Sequence, residues 1–255
     1  MMKEVIQITR YEKVDDDFNT IINLHKLISK GTTVDGHLIY FDANFPFFFK
    51  NVIRNKTTNF VSVLKINNVL SGFIHFKLFE NTIFLNNICL NESCQGKGIG
   101  KHFLKESLNL SYDGSQKIFE LDVFLSNHKA LKWYLSLGLE IQKKSTWKSI
   151  ARDSNKLNIE NISDIYFLKD NNGFDSIYYE NNKVATIVNN RTILVHDLLI
   201  LERISSQTYT IITNQDVKDL SVSHYQFIVL EISARMNGKI KDVFNNLNET
   251  NAYYL

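Results

Sequence analysis

Residues 95–100 read Gln-Gly-Lys-Gly-Ile-Gly, a glycine-rich stretch between a predicted strand and a predicted helix. It follows an apolar run, Thr82 to Leu90, that predicts a strand. It precedes a helical pattern of apolar residues at Ile99, Phe103, Leu104 and Leu108. Glycine loops before helices bind phosphates, because backbone amides and the positive end of the helix dipole converge there. The alternative is a glycine turn that only lets the helix pack on the sheet.

The spacing of the glycines excludes two common phosphate-binding loops. A P-loop needs glycine, four further residues and then Gly-Lys-Ser/Thr. Counting back from Gly100 gives Gln95 at the first position, and His102 follows Lys101, so this pattern fails at both ends. A dinucleotide fingerprint needs Gly-x-Gly-x-x-Gly, and here the third glycine comes one residue early. The pattern that fits is Gln/Arg-x-x-Gly-x-Gly/Ala, in which the glycines allow a diphosphate to approach the backbone.

A second pattern follows the apolar run Ile118 to Leu125, which predicts a strand buried on both faces. It consists of Asn127, Ala130, Tyr134 and Gly138. Together with the loop it closely resembles the GNAT N-acetyltransferase superfamily, whose members carry Gln/Arg-x-x-Gly-x-Gly and then Asn-x-x-Ala-x-x-x-Tyr-x-x-x-Gly-Phe. Leu139 stands where the family usually has Phe. The resemblance is most specific over residues 83–141, weaker over 3–82, and says little about 150–255.

The resemblance implies an α/β fold with a mixed sheet and acetyl-CoA as the cofactor. In the family, the strand before the loop parts from the next parallel strand, and the pantetheine arm lies in the cleft. Main-chain groups of Ile88 and Leu90 would pair with it, and Asn127 would hydrogen-bond it. Asn127 is otherwise a plain helix cap. The diphosphate would contact Gln95, Gly96, Lys97, Gly98, Ile99, Gly100 and Lys101.

The resemblance also implies direct attack of an amine on the thioester, without a covalent enzyme intermediate or a metal. Tyr134 would be the general acid for the departing CoA thiolate, unless it is only a core tyrosine. Asp122 is the candidate general base, because Leu121-Asp122-Val123 is similar to the Leu-Glu-Val of family members that use Glu there. The alternative for Asp122 is a carboxylate that merely ends in solvent or pairs with a lysine. His75 and His37 are weaker candidates.

Composition limits the class of protein. The chain has 255 residues, a net charge of +2 and two cysteines, Cys89 and Cys94. Such a balanced charge does not indicate a nucleic-acid or membrane partner. Two closely spaced cysteines predict a reducing compartment rather than a disulfide framework. The beginning of the sequence shows no signal peptide, and no window approaches the roughly 18 apolar residues of a membrane span. We therefore expect a cytoplasmic protein.

After about residue 150 the sequence consists of short β-like runs separated by Asn-rich turns, and we predict two domains, 1–148 and 149–255. Short apolar runs predict a smaller C-terminal α+β domain with strands at 164–168, 176–179, 184–188, 192–195, 209–213 and 227–232, and helices near 197–204 and 217–224. This region would suit a degenerate second GNAT-like copy, because Ile193-Leu194-Val195 leads to Asp197 without a glycine loop. Its role would be to close the substrate cleft or to form a homodimer interface.

The predicted function is transfer of an acetyl group from acetyl-CoA to a primary amine of a small molecule or peptide. The alternative is a catalytically weak CoA-binding module that regulates or scaffolds a partner. An aromatic cluster either shapes the acceptor pocket or packs in the core, and comprises Tyr40, Phe41, Phe45, Phe47, Phe48 and Phe49.

Overall fold

The computed structural model describes residues 4–152, 165–202, 210–215 and 225–249. Within these residues the helices are α1 (Phe18–Leu27), α2 (Phe45–Arg54), α3 (Ile99–Ser111), α4 (His128–Ser136) and α5 (Ile240–Asn248). The strands are β1 (Ile6–Arg10), β2 (Asn59–Ile66), β3 (Val69–Leu78), β4 (Thr82–Leu90), β5 (Ile118–Phe124), β6 (Glu140–Arg152), β7 (Ile165–Lys169), β8 (Asp175–Tyr179), β9 (Asn182–Val188), β10 (Thr192–Val195), β11 (Thr210–Thr213) and β12 (Tyr225–Lys239). None of the helices in the described part of the chain is long and apolar enough to cross a membrane.

The chain forms two compact units. Unit 1 comprises Met1–Lys30, Phe49–Lys143 and Ala234–Leu255, and unit 2 comprises Gly31–Phe48 and Lys144–Ser233. The segments that make up each unit therefore differ from the predicted domains 1–148 and 149–255. The amphipathic helix α5 accounts for much of this difference, because its buried residues Ile240, Val243 and Leu247 complete the core of unit 1. Whether 1–148 and 149–255 are separate domains stays a prediction.

Unit 1 is built on a mixed sheet. Strands β1 to β4 pair in sequence order and antiparallel, β5 runs parallel to β4, and residues 234–239 of β12 lie next to β5. Asn67 and Asn68, at φ of 50° and 65°, form the turn that joins β2 to β3. Two consecutive positive φ values are typical of the tight turns that match the twist of paired strands.

One hydrophobic core of unit 1 lies on the face of the sheet that carries α3. Phe103, Leu104 and Leu108 of α3 are fully buried there against Phe76 and Phe119. The expectation that β5 is buried on both faces is wrong. Its buried residues alternate with residues that are partly or fully exposed. Phe119, Leu121 and Val123 enter the core, whereas Asp122 is exposed on the opposite face.

Unit 2 repeats the strand order of unit 1. Strands β7, β8, β9 and β10 form an antiparallel meander, and β11 runs parallel to β10, as β5 does to β4. A tight turn with two positive φ values, at Glu180 and Asn181, joins β8 to β9. Where a helix is predicted near 197–204, the structure has a 3-10 helix over Leu198–Glu202, and residues 203–204 lie outside the described residues. The predicted helix at 217–224 also lies outside them.

The predicted aromatic cluster is divided between two cores. Phe45 is buried in unit 2, where it contacts the rings of Tyr40 and Phe48. Phe49 is buried in unit 1, where its ring meets those of His25 and Phe73. These contacts support the core-packing interpretation for both buried phenylalanines.

Candidate active site

Strands β4 and β5 separate before either of them ends. Their register runs from Thr82 opposite Ile118 to Leu85 opposite Leu121, although β4 continues to Leu90 and β5 to Phe124. The register of β4 with β3 also shifts next to His75, which marks a β-bulge. Bulges bend a strand and often lie beside active sites. The main chain of Ile88 and Leu90 therefore lies beyond the last β5 pair, where an extended ligand can add to β4.

The glycine loop lies at the end of this separated part of β4. Gly96 and Gly98 have φ values of 77° and 75°, and Gly98 is the N-cap residue of α3. The first amides that bond back into the helix are those of Lys101 and His102, both to the Gly98 carbonyl oxygen. The amides before them have no acceptor within the helix, as is general for a helix N-terminus. The exposed residues 95–98 thus lead into a helix end suited to an anion.

The glycine at position 100 has a second role, in packing. A Cβ atom on Gly100 would lie 3.1 Å from Leu90 Cδ1, and one on Gly72 would lie 2.8 Å from the Cys89 carbonyl oxygen. Such distances are shorter than ordinary carbon contacts. Gly100 therefore lets α3 approach the end of β4, and the phosphate-loop and packing interpretations are compatible.

Among the predicted cofactor residues, Lys101 has its side chain engaged elsewhere. Its ammonium donates to the carbonyl oxygen of Asn246 near the end of α5, at 2.6 Å. Burial lowers the pKa of Lys101. Lys97 is exposed, and Gln95 donates from Nε2 to the Leu90 carbonyl oxygen at 3.0 Å. Lys97 is thus the predicted lysine whose side chain remains at the surface of the loop.

Asn127 caps α4. Its Oδ1 accepts a hydrogen bond from the Ala130 amide at 3.1 Å, which confirms the predicted cap. Gly138 follows α4 with a φ of 83°, as expected for a residue that ends a helix. The contact of Asn127 with pantetheine stays a prediction, and an exposed amide can make it while Oδ1 remains bonded.

Tyr134 is buried on the inner face of α4 and belongs to the core of unit 1. Its ring stacks on Trp133 with centroids 5.2 Å apart. Burial raises the pKa of Tyr134 well above its ordinary value, because the phenolate would be poorly solvated. The phenol therefore keeps its proton at neutral pH, which is the state that a general acid requires.

Asp122 is held by a residue that the sequence analysis missed. Arg235 of β12 donates from Nε to Asp122 Oδ1 at 2.5 Å and from Nη2 to Oδ2 at 2.8 Å. It also donates from Nη1 to Glu120 Oε1 at 2.7 Å and lies over the ring of Phe84. The hydrogen bond with Asp122 is the largest of the interactions that raise the pKa of Arg235. Asp122 is thus an ion-paired carboxylate on the surface of the sheet.

The two histidine candidates have different environments. His75 is buried, and its Nε2 and Nδ1 lie 2.9 Å and 3.2 Å from side-chain atoms of Asn59 and Asn86. Burial lowers the pKa of His75 to about 3, so that this ring is a weak base. His37 lies in unit 2, with Nδ1 2.8 Å from the Thr192 hydroxyl. Neither geometry favours a histidine over Asp122.

The thiol of Cys89 has no property of an activated nucleophile. Burial raises its pKa to about 11, so that the thiol is protonated at neutral pH. Reactive cysteines show the opposite shift. This agrees with a reaction in which the enzyme forms no covalent intermediate.

Residues 22–139 match the sequence profile of the acetyltransferase (GNAT) family. The chain contains a GNAT acetyltransferase domain. The matched range includes the separated strands, the glycine loop, Asn127 and Tyr134, and it indicates that the protein is an acyltransferase. No curated protein sequence matches the chain.

Solved structures extend the similarity of fold beyond the GNAT domain. A tandem GNAT protein from the clavulanic acid biosynthesis pathway is 8% identical with a TM-score of 0.61, over 92% of this chain and 98% of that one. A Pyrococcus horikoshii protein described as an acetyltransferase is 10% identical with a TM-score of 0.59, over 91% and 89%. Spermidine N-acetyltransferase from Vibrio cholerae, in complex with CoA and spermine, is 13% identical with a TM-score of 0.50, over 94% and 99%. At these identities the similarity concerns the fold.

Proposed function

We propose that the protein transfers the acetyl group of acetyl-CoA to a primary amine of a small molecule or peptide. The observation that carries this proposal is the separation of β4 from β5 beside a glycine loop at the start of α3. A strand that has lost its neighbour offers main-chain groups to an extended arm, and the helix end offers amides to a diphosphate. CoA contains both parts in the matching order.

The cofactor would lie along β4 with its diphosphate on the loop. Main-chain groups of Ile88 and Leu90 would pair with pantetheine, and Asn127 would bond it from the start of α4. The loop from Gln95 to Lys101 would surround the diphosphate with backbone amides. Lys97 would add positive charge, whereas the ammonium of Lys101 is bonded to Asn246.

The reaction would proceed by direct attack. The amine nitrogen forms a bond to the thioester carbonyl carbon, giving a tetrahedral intermediate, and the bond from carbon to sulfur then breaks. The Tyr134 hydroxyl would donate its proton to the departing thiolate, and the proton that the attacking nitrogen loses as the amide forms would restore the phenol. The ammonium form of the acceptor must first lose a proton, and Asp122 is the proposed base. The buried thiol of Cys89 takes no part.

The acceptor is proposed to be an amine because residues 22–139 match the GNAT family, and the resemblance to that family implies attack by an amine. The Vibrio cholerae enzyme with the same fold binds spermine, which supports polyamines as one acceptor class to test. The test is a screen that measures free CoA released from acetyl-CoA with amino sugars, amino acids, polyamines, aminoglycosides and peptides. Acceptor-dependent release would support the proposal. Tight binding of acetyl-CoA without release with any acceptor would favour the CoA-binding module instead.

We also propose that unit 2 is a second copy of the fold without a cofactor site. The meander β7 to β10 and the parallel strand β11 repeat the order of β1 to β5. All four residues of β10 pair with β11, so that this pair does not separate as β4 and β5 do. The residues after β10 begin His196-Asp197-Leu198, without a glycine loop. The role of unit 2 in closing the substrate cleft or in forming a homodimer stays a prediction.

Gly98→Ala is expected to weaken acetyl-CoA binding by about 5- to 30-fold. A left-handed conformation costs a residue with a Cβ atom roughly 1–2 kcal/mol, so that this exposed loop would relax in the free protein. Cofactor binding would have to restore the conformation, and the cost would appear in the dissociation constant. Calorimetry measures this constant.

Gly114→Ala is the matched control for Gly98→Ala. Gly114 has a φ of 94°, and a Cβ atom there would have no neighbour within 4 Å, but it lies after α3. Its substitution should lower thermal stability without changing the affinity for acetyl-CoA. Equal affinities of Gly98→Ala and the unmodified protein would contradict the proposed position of the diphosphate.

A further inference from the structure

The first turn of α4 is connected to the glycine loop by one side chain. Lys129 Nζ lies 3.3 Å from Gln95 Oε1 and donates to it. The same Gln95 side chain donates from Nε2 to the carbonyl oxygen of Leu90, the last residue of β4. An ammonium group on the helix after β5 therefore lies beside the loop after β4, at the open end of the two separated strands.

This contact is a weak one for an ammonium group. Its acceptor is a neutral amide oxygen, and 3.3 Å is longer than the usual range for a hydrogen bond of this kind. Both side chains are exposed, so that each is free to change partner. A phosphate oxygen would be a better acceptor, because charge-assisted hydrogen bonds are shorter and roughly twice as strong.

Two other lysines, Lys97 and Lys101, lie near the loop, and they differ in whether the ammonium group is already bound. The Lys101 ammonium is 2.6 Å from the carbonyl oxygen of Asn246, which is a close contact with the end of α5. Lys97 is in the loop itself. A phosphate bound at the start of α3 would thus have the exposed Lys97 in the same loop and Lys129, on its long flexible stem, beside Gln95.

We propose that Lys129 is a phosphate-binding residue of the acetyl-CoA site, whose ammonium leaves Gln95 and pairs with a phosphate of CoA. The inference rests on the proposed function. CoA carries a diphosphate and a 3′-phosphate, and either would provide the same charged oxygens. Pairing at either position would connect α4 to the loop through the cofactor instead of through Gln95.

The test compares Lys129→Met with Lys129→Arg and Lys132→Met in calorimetric titrations of the full chain with CoA and with 3′-dephospho-CoA. Lys132 is exposed on the same helix, one turn further along, so that its substitution removes the same charge. We expect Lys129→Met to weaken CoA binding about 10-fold, as for loss of a charge-assisted hydrogen bond. Lys129→Arg should restore most of the affinity, and Lys132→Met should change it less than about twofold.

The two ligands identify the phosphate. An equal loss with CoA and dephospho-CoA would support pairing with the diphosphate, and a loss with CoA alone would support pairing with the 3′-phosphate. An unchanged affinity of Lys129→Met for both ligands would overturn the inference, as would an equal loss in Lys132→Met. If the unmodified protein binds neither ligand, the proposed function fails together with this inference.

Discussion

Tyr134→Phe is expected to lower the turnover number about 100-fold, the lower part of the range for a general acid. The substitution removes only the hydroxyl group, so that the ring keeps its place in the core and its stacking on Trp133. The affinity for acetyl-CoA should therefore change little. The measurement is steady-state CoA release with the acceptor found in the screen, together with calorimetry for cofactor affinity.

A second tyrosine provides the control for this experiment. Tyr112 follows α3 and packs on Phe244, with ring centroids 5.4 Å apart. Tyr112→Phe removes the same atom outside the proposed site and should leave turnover unchanged. If Tyr134→Phe retains the turnover of the unmodified enzyme, Tyr134 is only a core residue and the thiolate takes its proton from another source.

Asp122→Asn is expected to lower turnover by about the same factor, 100-fold, if Asp122 accepts the proton of the ammonium substrate. Arg235 donates to both carboxylate oxygens, so that fewer lone pairs of Asp122 are free to accept a proton from the substrate. For this reason we expect the loss to lie near the lower end of the range for a general base. If Asp122 only binds the ammonium group, the KM of the acceptor should rise while kcat changes little.

Arg235 is expected to act through Asp122, and a double-mutant cycle tests this. Arg235→Met alone should lower turnover, and combination with Asp122→Asn should cause no further loss, because coupled residues are not additive. Glu120→Gln is the control, since Glu120 accepts one bond from Arg235 and leaves the Asp122 pair intact. Full additivity of Arg235→Met and Asp122→Asn would show that Arg235 acts independently.

Features determined by nearby residues could be predicted from the sequence. The hairpin of β2 and β3, the start of α3 after Gly98, the Asn127 cap and the positive φ of Gly138 all follow from local turn and cap chemistry. The burial of β5 was predicted less well. Its apolar run suggested two buried faces, but Glu120 and Asp122 interrupt the pattern on the face where Arg235 binds them.

Features that depend on distant parts of the chain could not be predicted. Arg235 reaches Asp122 only because β12 lies next to β5, and no local pattern around Arg235 indicates this neighbour. Lys129 meets Gln95 only because β4 and β5 are neighbours. The packing of α5 could not be predicted for the same reason, because its apolar face is buried against parts of unit 1 that are distant in the sequence.

The most direct test of the central claim is calorimetric titration of the full chain with acetyl-CoA. We expect one molecule to bind per chain, because β4 and β5 separate beside a glycine loop whereas β10 and β11 remain paired without one. Thermal unfolding should shift upward in parallel, since a ligand that binds only the folded state stabilises it. Absence of both heat and stabilisation at millimolar acetyl-CoA would show that the chain has no acetyl-CoA site.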